Sequence, residues 1–292
     1  NRPANLGLLD LISALRWINT NISAMGGDPN NITLFGHSAG GDAAAHLMIA
    51  EGAEGLFQRA IIQSAPLGIS RNRAKMNAKM SQQAATVQDD SPLEEVLRVQ
   101  TQVAEAAQGF GLKSAMPFGT QYGHYPLPAE SEVDAAWRRA APKFDVFIGY
   151  TLEETALFLV MSPRLVRLRR LPVVGEGIAK AMVAVTTRKV YKRDALKVAR
   201  RHAKAGGNAY VYQLEWGKGR YPFGAAHTIE LALLLGEPGS WQYADLVKGV
   251  DEATLFEHGQ RLRALWADFA RNGQLPPAGQ LEPQIVAWWQ AS

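Results

Sequence analysis

The sequence predicts an α/β protein with a mostly parallel central sheet and helices on both faces of that sheet. Short runs rich in β-branched and aromatic residues, typical of buried strands, occur at 31–35, 59–64, 144–149 and 208–216. Segments with apolar residues at helical spacing separate these runs, and 292 residues suffice for one large domain of this class. Strands that alternate with helices form parallel sheets, whose functional groups lie in loops after the strand ends.

The helical segments flank each predicted strand. A first helix is predicted at 7–24, and an Ala-rich helix runs to about residue 50. The polar segment 71–109 also has a helical pattern, and two late helices are predicted at 228–235 and 252–272. We therefore expect residues 1–292 to form one α/β domain, with a basic, cap-like helical insertion at about 160–205.

Composition excludes several kinds of site. Cysteine is absent, so disulfides, thiolate metal sites and a cysteine nucleophile are excluded. No apolar run reaches the length of a membrane-spanning helix. Because cysteine-free chains suit a reducing compartment, we expect a cytoplasmic protein. The chain begins Asn-Arg-Pro without Met or a signal pattern, so we expect either a preceding segment or a fragment.

The net charge of +4 is concentrated in one region. Between residues 164 and 204 lie thirteen Lys and Arg against Glu176 and Asp194. A solvated helical face is one interpretation, and a surface for anions or nucleic acid is the other. No nucleic-acid motif or aromatic platform occurs there, so we favour the solvated face and expect no nucleic-acid partner.

The sequence Gly-His-Ser-Ala-Gly at 36–40 matches the Gly-x-Ser-x-Gly motif of serine hydrolases. A predicted strand precedes it and a predicted helix follows, as a nucleophile elbow requires. Gly36 and Gly40 allow a tight turn that exposes Ser38, the predicted nucleophile. The backbone N–H of Ala39, at the helix start, is the predicted oxyanion donor. The alternative is a glycine-rich turn with an incidental serine.

The stretch 5–64 resembles the type-B carboxylesterases, a family that includes bacterial p-nitrobenzyl esterases and cholinesterases. A looser similarity continues to 268–273, so it covers nearly the whole chain. The resemblance implies the α/β-hydrolase fold with a reduced helical cap. It also implies hydrolysis of small-molecule carboxylic esters through an acyl-serine, without metal or cofactor. The matching segments are Asn-Leu-Gly-Leu-Leu-Asp at 5–10, Ala-Leu-Arg-Trp-Ile-Asn at 14–19, Gly-Gly-Asp-Pro-Asn-Asn-Ile-Thr-Leu-Phe-Gly at 26–36 and Leu-Phe-Gln-Arg-Ala-Ile-Ile-Gln-Ser at 56–64.

A serine nucleophile needs a histidine base and an acid, in the chain order Ser, acid, His in this fold. Of six histidines, only His227 lies in a loop after a late strand and directly before a helix, so it is favoured as the base. The segment Gly-Ala-Ala-His-Thr-Ile-Glu at 224–230 also resembles the family's catalytic-histidine segment. That resemblance makes Glu230 a supporting carboxylate.

The resemblance also supplies the acid. The segment 147–158 is similar to the family's strand-end segment, and alignment on Gly149 and Phe158 places Glu154 at the acid position. Its neighbour Glu153 is the alternative acid. The other alternative is a pair of surface glutamates at a helix start.

Several positions depart from the family pattern. His37 stands where many members have Glu, which disfavours choline esters. Thr151 replaces an Asn, and Thr155 and Thr228 replace glycines, so we expect shifted loops around the acid and base. Tyr122 replaces an Asp in a Pro- and Gly-rich loop.

The family's first strands and its His-Gly-Gly-Gly loop, which supplies oxyanion donors, find no counterpart in this sequence. We therefore expect an α/β-hydrolase that lacks its N-terminal part, with a missing segment or partner chain completing it. The alternatives to an active esterase are a non-catalytic binding module of the same fold and an inactive fragment. Four aromatic residues predict an apolar substrate pocket or core packing: Phe158, Trp216, Tyr221 and Phe223.

Overall fold

A single mixed sheet organises the chain in a computed structural model, which describes residues 3–220, 222–237, 239–282 and 284–292. The Arg164 side chain is also outside the description. The order of strands is β1-β2-β3-β4-β6-β5. The four predicted strands are all present and pair in parallel, and the last two are antiparallel. The strands are β1 Thr33–His37, β2 Arg59–Gln63, β3 Asp145–Thr151, β4 Asn208–Leu214, β5 Ala278–Leu281 and β6 Val286–Gln290.

Helices cover both faces of this sheet. The predicted first helix ends earlier than expected, because a 3₁₀ turn takes over from Ile22 to Met25. The late helix at 252–272 has the predicted bounds. The α-helices are α1 Leu6–Asn21, α2 Ala39–Leu47, α3 Ala74–Ala84, α4 Leu93–Ala106, α5 Val133–Ala140, α6 Ala156–Met161, α7 Pro163–Arg169, α8 Gly175–Thr187, α9 Arg193–Lys204, α10 Ile229–Leu234 and α11 Glu252–Asn272.

Side chains that alternate along the strands build a core on each face of the sheet. On β3, Val146 and Ile148 enter the core with α1, α2, α5 and α9, whereas Phe147 enters the core with α10 and α11. On β2, Ile62 enters the first of these cores and Ile61 enters the second. This period of two in otherwise apolar strands is expected for a sheet that is covered on both sides.

The sheet has two strands that the sequence pattern did not predict. β6 pairs antiparallel with β4, with Trp288 opposite Tyr212, and β5 continues as the outer strand. β6 is an alternating strand whose Val286 and Trp288 enter the core, but β5 is short and largely exposed.

The region 160–205 has two parts that differ in their packing. α9 lies on the sheet, with Ala195, Val198 and Ala199 buried in the core beside α1 and α2. α7 and α8 pack instead against each other and α6. The region that stands off the sheet is therefore the α6–α8 segment.

Because β1 to β4 are parallel, their carboxyl ends meet at one edge of the sheet. Ser38 follows β1, Glu154 follows β3, and His227 lies in the loop after β4. The topology thus brings the three predicted triad residues to the same edge. In the described part of the chain, no helix has the length and apolarity needed to cross a bilayer.

Candidate active site

Ser38 occupies a sharp turn between β1 and α2. Its backbone has φ 56° and ψ −118°, a conformation that L-residues rarely adopt. The Ser38 N–H donates to the carbonyl of Gln63 at 2.8 Å, which ties the turn to β2. Strain held by a neighbouring strand in this way is typical of functional sites.

The close approaches that shape this turn fall on two glycines. A Cβ on Gly36 would lie 2.3 Å from the carbonyl oxygen of Gly40, and one on Gly41 would lie 2.8 Å from that of Gln63. A Cβ on Gly40 would meet nothing within 4 Å. The predicted role of Gly36 is supported, but Gly41 rather than Gly40 is the second position where space requires glycine.

The structure brings Ser38, His227 and Glu154 into one hydrogen-bonded chain. Ser38 Oγ lies 2.8 Å from His227 Nε2, and His227 Nδ1 lies 2.6 Å from Glu154 Oε2. Glu154 and His227 are buried, and Ser38 is half-buried. The other Glu154 oxygen accepts the N–H of Thr151 at 2.8 Å, which fixes the carboxylate.

Glu153, the alternative acid, binds the backbone of the loop that carries His227. Its carboxylate accepts the N–H of Ala225 at 2.8 Å. Its own N–H donates to the carbonyl of Ala225 at 2.9 Å, and the N–H of His227 donates to the carbonyl of Glu154 at 3.0 Å. The acid and base loops are therefore joined by a ladder of three hydrogen bonds, and only Glu154 faces the imidazole.

Three rings surround the imidazole of His227. The centroid of His37 lies 4.5 Å away, that of Tyr191 5.3 Å and that of Phe158 5.6 Å. Burial lowers the pKa of His37 to about 4, and the neighbouring His227 adds to the effect, so His37 is neutral at pH 7. Sequence reasoning missed Tyr191, whose only signal was an aromatic residue within a cationic run.

Glu230 lies fully buried behind the triad. Its Oε1 is 3.3 Å from Ser64 Oγ and 3.8 Å from His37 Nε2, and its Oε2 accepts a hydrogen bond from Tyr212 at 3.1 Å. Burial and the neighbouring Glu154 raise the pKa of Glu230 to about 8. The predicted supporting carboxylate is thus largely protonated at neutral pH.

This raised pKa makes stability depend on pH. Because the folded-state pKa exceeds the unfolded value, the contribution of Glu230 to the free energy of unfolding should fall as pH rises from about 4.5 through about 8. The lowered pKa of His37 contributes instead a rise between about 4 and 6.5. The contribution of Glu230 totals about 5 kcal/mol. In urea unfolding between pH 7 and 9, where His37 is neutral in both the folded and the unfolded state, Glu230→Gln should remove the fall. Glu257→Gln, at an exposed position, is the matched control and should retain the fall.

The two threonines at family-glycine positions differ in backbone strain. Thr228 has φ 74°, where a β-branched residue is unfavourable, whereas Thr155 has an ordinary φ of −81° and bonds Thr186 Oγ1 at 2.6 Å. Thr228→Gly should therefore raise the free energy of unfolding by about 1 kcal/mol. Thr155→Gly should lower it, and equal signs in thermal unfolding would contradict this explanation.

The predicted aromatic pocket is only partly assembled. Phe158 contacts His227, and Phe223 lines a cavity of about 410 Å³ between α6, α8 and residues 219, 220 and 222–224. Trp216 instead belongs to the core near α11, where its indole N–H donates to His258. Tyr221 lies outside the described residues.

A second serine–histidine–aspartate group occurs behind the elbow. Asp42 lies 3.3 Å from His46 Nδ1 and accepts a hydrogen bond from Ser70 at 2.5 Å, and His46 Nε2 lies 2.6 Å from the Tyr122 hydroxyl. All but Tyr122 are buried, and Ser70 and His46 both contact the acid. This group fastens the loop at 117–128 to α2. Among the described residues, no cluster of His, Asp or Glu fits a metal ion.

Known proteins resemble this chain in sequence over most of its length. A family model described as "Carboxylesterase family" matches residues 1–169. A probable N-octanoylanthranilate hydrolase of Rhodococcus erythropolis is 33% identical over 276 residues, which are 93% of this chain and 61% of that protein. The para-nitrobenzyl esterase of Bacillus subtilis is 30% identical over 299 residues, 92% of this chain and 59% of the relative. The chain thus spans about three fifths of these relatives.

Solved structures show the same fold. A thermophilic p-nitrobenzyl esterase superimposes with a TM-score of 0.72 at 25% identity, covering 94% of this chain and 61% of the other. The Geobacillus stearothermophilus carboxylesterase gives 0.66 at 27% identity, covering 97% and 63%. The predicted α/β-hydrolase fold is confirmed, and the chain belongs to the carboxylesterase family.

Proposed function

We propose that this chain hydrolyses carboxylic esters of small molecules through an acyl-enzyme on Ser38. The observation that carries the proposal is the continuous hydrogen-bonded path from Ser38 Oγ through His227 to Glu154, with contacts of 2.8 and 2.6 Å. Both distances lie in the range that a nucleophile and its general base require. The family membership supports the same reaction class.

In the acylation half-reaction, Ser38 Oγ attacks the ester carbonyl while His227 Nε2 takes the hydroxyl proton. Glu154 holds the imidazole tautomer that has its proton on Nδ1 and stabilises the imidazolium that forms. The carbonyl oxygen becomes an oxyanion beside the N–H of Ala39, the first residue of α2, which has no acceptor within its helix. His227 then returns the proton to the leaving alcohol, and a water repeats the sequence on the acyl-serine.

The direct test is labelling with a fluorophosphonate, followed by peptide mass spectrometry. The adduct is expected on Ser38 and should disappear in Ser38→Ala. Ser70→Ala is the matched control, because Ser70 belongs to the buried second group and should leave labelling intact. Labelling that survives Ser38→Ala would overturn the proposal. The binding-module and inactive-fragment alternatives both predict an unlabelled chain.

The surroundings of the triad favour neutral, apolar esters. Phe158 and Tyr191 supply aromatic surface around His227, and neutral His37 supplies no anion for a cationic substrate. The names of the relatives, which mention para-nitrobenzyl and N-octanoylanthranilate groups, point to aromatic substrates. We expect p-nitrophenyl butyrate to be hydrolysed with a higher kcat/KM than butyrylcholine.

Amides are a second candidate substrate class, since N-octanoylanthranilate contains an N-acyl bond and the relative named for it is 33% identical. The same acyl-serine would form, with His227 protonating an amine. The rates at which one preparation hydrolyses N-octanoylanthranilate, an amide, and p-nitrophenyl octanoate, an ester, compare the two classes. We further infer that residues 1–292 act as one domain, with the α6–α8 part of the segment predicted at about 160–205 serving as a cap over the site.

A further inference from the structure

Residues 175–204 form one long helix. α8 runs into a π-helical turn at Arg188–Lys192, which runs into α9, and the flanking residues keep right-handed helical φ and ψ. Thirty residues at 1.5 Å each give a length of about 45 Å. Exposed residues recur at helical spacing along this rod from Ile178 to Lys204, which gives it a solvent-facing side.

The first half of that side is aliphatic. Val174, Ile178 and Val185 recur at helical spacing and are 53%, 41% and 51% exposed. In the turn before the helix, Leu171 is 48% exposed and Val173 is fully exposed. Val173, and about half of each of the other side chains, contributes nothing to the fold, because burial is what makes an aliphatic group stabilising. A grouped aliphatic surface of this kind indicates a contact with something apolar.

The second half of the same side is cationic. Arg193, Lys197, Arg200 and Lys204 repeat at intervals of four, three and four residues, and all are exposed. With Arg138 and Arg201 they line a groove of about 570 Å³ whose remaining lining residue is Ala205.

The carboxylates near this groove form ion pairs with other arginines or are half-buried. Asp134 is shared by Arg71 and Arg201, and Asp194 is half-buried on the inner side of the helix. Among the described residues, the four exposed cations have no ion-pair partner. The groove is therefore a concentrated positive surface that its own protein neutralises only in part, through Asp134.

We propose that this side of the 175–204 helix is a docking face for an anionic phospholipid bilayer. The aliphatic half enters the boundary between headgroups and acyl chains, and the cationic half contacts the headgroup phosphates. A nucleic acid would match the cations but leave the aliphatic half in water. Among the described residues of the groove, no exposed aromatic side chain is present on which a base could stack. An anionic lipid surface matches both halves of one helix.

Vesicle sedimentation with the 292-residue chain tests the docking face. We expect binding to vesicles of phosphatidylcholine and phosphatidylglycerol in a 3:1 ratio, and little binding to phosphatidylcholine alone. Lys197→Glu/Arg200→Glu/Lys204→Glu should reduce the partition coefficient about a hundredfold or more, since each basic residue near the surface contributes about fivefold. Lys75→Glu/Lys79→Glu/Arg271→Glu makes the same change in net charge at exposed positions outside the face and should change binding far less.

The aliphatic half is tested separately. Val174→Ser/Ile178→Ser/Val185→Ser should keep binding at low salt but lose the part that survives 0.3 M NaCl, because salt screens only the ionic contribution. Thermal unfolding checks that each variant is folded. Equal loss in the two charge-reversal variants would overturn the proposal. So would retention on heparin without binding to anionic vesicles, which would identify a polyanion as the partner, or binding unaffected by the serine substitutions.

Discussion

Replacing Ser38 by alanine is expected to lower kcat for p-nitrophenyl butyrate by about 10⁴- to 10⁶-fold, because no other group in the described site can form the acyl intermediate. His227→Ala should cost nearly as much, since the serine hydroxyl then has no base within 2.8 Å. Glu154→Gln should cost less, because the imidazole remains but loses the anion that orients Nδ1. Stopped-flow assays that detect the burst phase measure the activity of all three variants.

The triad prediction is also tested by combination. Because the three residues act as a unit, Ser38→Ala/His227→Ala should be no slower than Ser38→Ala alone. Additive losses would mean that His227 acts independently of Ser38. Glu153→Gln is the matched control for Glu154→Gln. It should retain most activity, because Glu153 contacts the Ala225 amide and not the imidazole.

Gly36→Ala is expected to destabilise the fold by about 3 kcal/mol or more, since its Cβ would lie 2.3 Å from the Gly40 carbonyl oxygen. Neither atom can move without displacing the Ser38 turn, so fluorophosphonate labelling should fall as well. Urea unfolding at pH 7 measures the stability, and labelling of the folded fraction measures the geometry.

Gly40→Ala is the control within the same motif. Its Cβ has open space, and alanine is a better helix former than glycine in the first turn of α2. The variant should be as stable as the parent chain or slightly more so. If the two substitutions were equally harmful, the elbow would depend on glycine flexibility rather than on the Gly36–Gly40 contact.

The sequence was sufficient for the parts of the fold that local patterns encode. β1 to β4 are apolar runs between turn signals, and Ser38 could be found because a strand, a Gly-rich turn and a helix follow one another directly. β5 could not be found in this way. It has four residues, is largely exposed and exists because β6 offers it a pairing edge. Such a strand depends on distant pairing rather than on its own composition.

The site was less predictable than the fold. Glu153 and Glu154 are neighbours after the same strand, and only the course of the backbone decides that Glu154 faces the imidazole while Glu153 turns to the Ala225 amide. Tyr191 lies beside His227 because a π-helical turn rotates it there from within a cationic segment. A pattern of 3.6 residues per turn does not reveal such a rotation.

The ladder between the acid and base loops has a consequence for motion at the site. Two backbone bonds and the Glu153–Ala225 contact make the loops that carry Glu154 and His227 one mechanical body. Ser38 belongs to a second body, because its backbone N–H donates to the carbonyl of Gln63 at the end of β2. Thermal displacement at the proposed catalytic centre should therefore be greatest between the serine oxygen and Nε2. The gap that opens and closes is the one across which the proton must pass.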